Sequence, residues 1–158
     1  MRHPTQPRRG FSLIELLIVV SVLAILAAIV VPRFSNAGDK ATSGALVTQL
    51  RTIKQSLVRY SSEHGNDYPT EAQLVTNQWQ VLTNSTDIDG DVSGSDYGPY
   101  FNKPPFNGFM DSDVIATDNS GAWQYDPSTG VVRAVVPQAI YDRAEELSLP
   151  TGDLVVAP

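Results

Sequence analysis

Twenty-one consecutive residues, Phe11 to Val31, contain only three polar ones: Ser12, Glu15 and Ser21. No other stretch constrains the fold so tightly. As a helix rising about 1.5 Å per residue, this run spans roughly 31 Å, close to the hydrocarbon thickness of a bilayer. The preceding residues, Met1 to Gly10, hold Arg2, Arg8, Arg9, two prolines and no apolar run. They read as a disordered leader on the cytoplasmic side, with the C-terminus across the membrane. A run of this length exceeds the apolar region of about 7–15 residues in an ordinary secretory signal, the competing reading with a cut near Ala27-Ala28. A plain signal anchor explains the span and its orientation but leaves Glu15 unexplained. An ionised carboxylate inside a membrane helix costs on the order of 3 kcal/mol. Glu15 is therefore expected to have a partner.

The residues Gly10-Phe11-Ser12-Leu13-Ile14-Glu15-Leu16-Leu17-Ile18-Val19-Val20, with Pro32 downstream, resemble the class III signal of type IV pilins and type II secretion pseudopilins. The resemblance covers residues 1 to about 34. It implies that a prepilin peptidase cuts after Gly10 and methylates the new amine of Phe11. It also implies that Glu15 meets the N-terminal amine of a neighbouring subunit.

The chain has 158 residues, which suits one globular domain behind an anchor. Loss of the three leader arginines leaves 8 basic residues against 17 acidic ones. From Ser61 onward only Lys103, Arg133 and Arg143 oppose fifteen acidic residues. Such a head repels phosphate backbones, which argues against nucleic acid as its partner. There is no cysteine, so packing or a bound ion must hold the head together. Within the resembled family many pilins close a C-terminal loop with a disulfide and major pseudopilins usually do not; the absence favours the pseudopilin branch.

Beyond the apolar run, Pro32 predicts a helix kink rather than a stop, because helical periodicity resumes after it. Leu46, Leu50, Ile53, Leu57 and Tyr60 recur at spacings of 4, 3, 4 and 3 and share one face. That stripe predicts packing on the chain's own sheet; a coiled-coil seam shares the pattern but needs more heptads. Gly38 and Gly44 make Pro32 to Gly44 the softest part of the helix. The helix is expected to stop at Glu63-His64-Gly65, with Gly65 in the left-handed cap conformation. His64 reads as a surface residue near the negative helix end.

Glu71 to Thr83 predicts one short helix burying Leu74, Val75, Trp79 and Leu82. Ala122 to Tyr125 and Val131 to Val136 predict two strands of a hairpin joined through Asp126-Pro127-Ser128-Thr129-Gly130. Trp123 and Tyr125 fall on one face, as do Val132, Ala134 and Val136. Gln138 to Leu147 predicts a short helix with Ile140, Ala144 and Leu147 inward. The tail from Ser148 either adds an edge at Leu154-Val155-Val156 or stays loose.

The segment Thr86 to Asp96 is turn chemistry throughout. Its Asp87, Asp89, Asp91 and Asp96 offer oxygen ligands that suit calcium, the one cofactor the sequence suggests. An EF-hand reading fails, since the sixth position is Val92 and no glutamate stands at the twelfth. The alternative is a solvated acidic loop. Major pseudopilins commonly bind calcium in a C-terminal loop, but that loop finds no residue-by-residue match here; Asp111, Asp113 and Asp118 are candidates by composition only. The aromatic, proline-rich run Tyr97 to Phe109 reads as an ordered loop pinned to the core by its rings. No phosphate loop, Cys/His cluster or catalytic serine signature is present, so nothing points to an enzyme.

These readings converge on an α+β protein of pilin type: a long N-terminal helix, its first half transmembrane, carrying a small antiparallel sheet head. The expected domains are a leader (1–10), a membrane and filament-core helix (11–34) and a periplasmic head (35–158). The resemblance implies a type II secretion pseudopilus subunit, anchored in the inner membrane by a single pass and then assembled as a homo-oligomeric helical filament. Its partners would be a prepilin peptidase and a secretion or pilus assembly platform. A type IV pilus subunit and a membrane-anchored protein whose head binds calcium or a partner are the alternatives.

Overall fold

A computed structural model describes residues 11–158, apart from the side chains of residues 31–36. The leader, Gly10 and the bend expected at Pro32 lie outside what is described. The chain divides into two compact units, Met1–Asp39 and Lys40–Pro158. Helix α1, Leu13–Glu63, contributes to both.

In the first unit the segment Leu13–Val30 has a mean hydropathy of 3.0 and is long and apolar enough to cross a membrane. Its large side chains face outward along the whole length, from Leu13 at 86 % exposure to Val30 at 43 %. Helical hydrogen bonding satisfies the backbone of such a segment without water. The polar Ser21 satisfies itself, donating from Oγ to the Leu17 carbonyl at 2.7 Å.

The second unit, the head, is built on the stripe read from the sequence. Leu46, Leu50, Ile53, Leu57 and Tyr60 are all buried, in one cluster with residues of the sheet. The sheet has four strands in chain order: β1 (Ile115–Ala116), β2 (Trp123–Asp126), β3 (Val131–Val136) and β4 (Leu154–Val156). Only the β2–β3 hairpin is antiparallel; β1–β2 and β3–β4 pair in parallel, so the sheet is mixed. The hairpin has the expected register, with Trp123 opposite Ala134 and Tyr125 opposite Val132. Its loop closes when Gly130 N–H donates to the Asp126 carbonyl at 2.8 Å. Gly130 sits at φ 70, and a Cβ there would fall on the Tyr68 ring, so the position takes only glycine. Val132, Ala134 and Val136 are buried on the inner face as expected; Val135, on the other face, is buried too. The tail resolves as an edge strand, with Leu154 opposite Ala134.

The expected helix Glu71 to Thr83 is broken in two. A π-helical turn, Ala72–Thr76, is followed by the short α2, Gln80–Thr83. Between them Gln78 and Trp79 adopt positive φ, 44 and 67. The break has a physical reason. It lets the Gln78 amide pair with the outer edge of β1, donating to the Ile115 carbonyl at 2.9 Å and accepting its N–H at 3.1 Å. It also drops Trp79 into the core, edge-on to Trp123, with its indole N–H donating to the Asp113 carbonyl at 2.6 Å. Leu74 and Leu82 are buried as expected and Val75 is half-buried; Val81 joins them. The helix expected over Gln138 to Leu147 is α3, Gln138–Tyr141, continued by turns that still bury Ala144 and Leu147.

Two polar residues prove structural. Asn107 is completely buried and fully bonded. Its Nδ2 donates to the carbonyls of Ala122 (2.9 Å) and Val135 (2.7 Å), and its Oδ1 accepts the Phe109 N–H (3.0 Å). It ties the loop to the β2–β3 hairpin.

His64 corrects the surface reading. The helix does end at Glu63, with Gly65 at φ 71 and Asn66 N–H bonded back to the Ser61 carbonyl at 2.8 Å. His64, however, is buried, stacked on Tyr60 at a 3.8 Å centroid distance and tilted against Tyr97. Its Nδ1 faces the Tyr60 carbonyl at 2.8 Å, so that nitrogen carries the proton, and Nε2 accepts from the Thr86 hydroxyl at 3.0 Å. The loop folding back over the helix end, not the helix itself, does the burying. Beside it, burial and then the charges of Asp87 and Asp67 push the Tyr60 phenol up to about 12. We predict that His64→Ala destabilises the head by about 1–3 kcal/mol, since it strips a partner from the buried Thr86 hydroxyl. Urea melts of the head, started near Lys40, check this; an unchanged midpoint would refute it.

Candidate processing and assembly site

Helix α1 begins at Leu13, directly behind Ser12. The Ser12 Oγ accepts the Ile14 N–H at 3.3 Å, and the Glu15 carboxylate accepts the Ser12 N–H at 3.0 Å. The Ser12 carbonyl accepts the first helical N–H, from Leu16, at 3.2 Å. This is a capping-box arrangement: the Glu15 carboxylate reaches back to the Ser12 N–H, while the Ser12 hydroxyl satisfies the orphan N–H of Ile14. Its sequence signature is Ser12-Leu13-Ile14-Glu15, a serine with a glutamate three residues on. Glu15 thus has one partner within its own chain. Negative charge is also favoured in a first helical turn, where the macrodipole is positive.

Phe11 stands just outside the helix and is 82 % exposed. The peptide bond before it joins the segment that is not described.

The four aspartates of the acidic loop do different work. Asp87 Oδ1 accepts the N–H groups of Asp89 (3.0 Å) and Asp91 (2.9 Å). Asp91 Oδ1 accepts the Ser93 N–H at 2.8 Å, and hydrogen bonds from Ser93 hold its carboxyl below the usual range. Asp89 and Asp96 point to solvent. Asp118 likewise binds Ser120, whose hydroxyl and amide lower its pKa. Asp111 and Asp113 are exposed. Among the described residues, no three carboxylate or imidazole side chains are grouped closely enough to hold a metal ion.

The comparisons with known proteins bear on the N-terminal site. Residues 6–31 match the model of the prokaryotic N-terminal methylation motif. The chain is 34 % identical over 68 residues to the type II secretion system core protein G of Klebsiella michiganensis, covering 43 % of this chain and 47 % of that protein. It is 30 % identical over 69 residues to the protein of the same name in Escherichia coli K12, covering 44 % and 47 %. It is 31 % identical over 68 residues to the type IV wide pilus major component PilA4 of Thermus thermophilus, covering 43 % and 52 %. The chain thus spans about half the length of the curated relatives it matches. No solved structure matches it. With its long apolar helix and small α+β head, the chain carries the prepilin-type N-terminal methylation motif and is similar to type II secretion core protein G and to type IV pilins.

Proposed function

We propose that the chain is a structural subunit of a type II secretion pseudopilus. A prepilin peptidase cuts between Gly10 and Phe11 and methylates the Phe11 amine. The subunit waits in the inner membrane with its N-terminus cytoplasmic and its head periplasmic. It then joins a helical filament through the segment from Phe11 onward, Glu15 meeting the amine of a neighbour. The observation that carries the reading is the methylation motif over residues 6–31, placed on an apolar helix whose capping glutamate is Glu15. The similarity to PilA4, a pilus component, favours a type IV pilus subunit as the second reading.

The test is the mature N-terminus. Mass spectrometry of the membrane fraction should find a chain beginning at methylated Phe11, and a bulky replacement of Gly10 should leave the leader attached. A mature species beginning elsewhere refutes the processing step. An uncut Gly10-Phe11 bond would instead favour a membrane-anchored binding protein. Filaments confined to the periplasm, against filaments sheared from the cell surface, separate pseudopilus from pilus.

A further inference from the structure

We propose that successive heads dock by seating the loop Asp87 to Asp96 of one copy in a groove beside α1 of the next; this rests on the filament reading above. The groove is a concavity of about 280 Å³, with Gln49 and Thr52 of α1 on one side and Phe101, Lys103, Pro105 and Phe106 on the other. It is apolar and open, with Phe106 46 % exposed. Gln49 holds, among the described residues, the buried side-chain oxygen that finds no hydrogen-bond partner. A turn of its terminal torsion would offer that acceptor to a donor arriving in the groove.

The loop has the complementary character. Ile88 and Val92, at 54 % and 41 % exposure, project from it between aspartates. Its backbone is held rigid by the Asp87 and Asp91 side chains and by Gln73, whose amide donates to the Asp89 carbonyl at 2.8 Å. A pre-ordered knob loses little freedom on docking. Charge selects the occupant. Between Arg59 and Arg133, Lys103 is the one basic residue among eleven acidic ones, and it stands on the rim of the groove. An apolar tip flanked by Asp89 and Asp96 fits an apolar groove rimmed by an ammonium, and every copy of the chain supplies both.

Knob and groove are different surfaces, so the contact is heterologous and propagates instead of closing on itself as a two-fold dimer does. The loop packs at Tyr60, whose hydroxyl lies against Gly90, while the groove lies at Gln49 and Thr52. That separation along α1 is roughly 12–16 Å at about 1.5 Å per residue. Copies with parallel helices, joined this way, are staggered axially by about that distance.

The test uses the full-length chain in cells that carry the assembly machinery. Lys103 and Asp89 are exposed, so charge reversal at either leaves the fold alone. Lys103→Glu and Asp89→Lys should each lower filament yield about tenfold, through like charges brought together, and the double variant should restore it to within about twofold. A photo-crosslinking residue in place of Phe106 should capture the loop Asp87 to Asp96 of another copy, in filaments and not in monomers. Filaments with normal yield from either single variant, a double variant that is not rescued, or a crosslink mapping elsewhere would overturn the docking mode while leaving the filament reading intact. An unsubstituted chain that is processed and forms no filament overturns both.

Discussion

Glu15→Ala should insert in the membrane, be cut after Gly10 and then fail to assemble, with filament yield lowered about tenfold or more. On the proposed filament reading the carboxylate has two tasks that alanine removes together. One lies within the chain, where it accepts the Ser12 N–H and closes the capping box. Loss of a cap costs about 1 kcal/mol and frays only the first turn. The other task belongs to the filament, where the methylated amine of a neighbouring Phe11 would sit against Glu15. Opposite charges held close in a low dielectric attract by several kcal/mol, and part of the opposing desolvation has already been incurred on insertion. Glu15→Gln divides the tasks. Its amide oxygen still accepts the Ser12 N–H, but it carries no charge. Yields equally low for Gln and Ala would assign assembly to the charge. Normal yield from Gln, with low yield from Ala, would assign it to the cap, and normal yield from both would remove Glu15 from assembly. A shear assay run beside a processing gel reads all three results.

Asn107→Asp should be the most damaging single-atom exchange in the head. The asparagine donates two hydrogens to carbonyls, those of Ala122 and Val135, in a fully buried site. A carboxylate there donates none and sets a negative charge against two carbonyl oxygens. The loss at neutral pH is expected to be about 3–5 kcal/mol, the scale of an uncompensated buried charge. That is a large share of a stability that for ordinary domains totals about 5–15 kcal/mol. The sign of the pH dependence follows. Burial raises the new carboxyl above its unfolded value near about 3.9. The protonated form, which recovers one donor, is fully stabilising below that value, and its contribution disappears as pH rises through the raised folded-state pKa. Asn107→Ala loses the same bonds without the charge, so it should cost less, about 1–3 kcal/mol, and add no pH dependence of its own. Melts of both variants between acid and neutral pH check the pair; parallel pH profiles would refute the argument.

What could be read in advance followed periodicity. The stripe from Leu46 to Tyr60 and the alternation in Trp123 to Tyr125 and Val131 to Val136 each bury one face, and short-range spacing encodes a face directly. The helix end at Gly65 was legible for a similar local reason. What escaped depended on distant chain. His64 looks like a solvated helix-end residue until the Thr86 to Tyr97 loop covers it. The left-handed Gln78 and Trp79 break an otherwise helical pattern because the edge of β1 and the Trp123 ring, about forty residues away in sequence, reward the break. The parallel pairing of β3 with β4 needs a crossover whose return point no local signal marks. The capping box at Ser12 and Glu15 is different. It is purely local, a serine and a glutamate three residues apart, and it gives Glu15 a partner within its own chain that the cost of burying a charge does not reveal.

The order in which the head's parts occur along the chain fixes a schedule for its folding. The apolar stripe of α1 lies within residues 46–60, while the strands that cover it run from Ile115 to Val156. A ribosome adding roughly 5–20 residues per second completes the stripe several seconds before the last strand exists. Through that interval Leu46, Leu50, Ile53, Leu57 and Tyr60 have no complete sheet to rest on. The head therefore cannot mature vectorially, helix first. Completion of its sheet waits for the final crossover, and the stripe lacks its full cover of strands until β4 has been made.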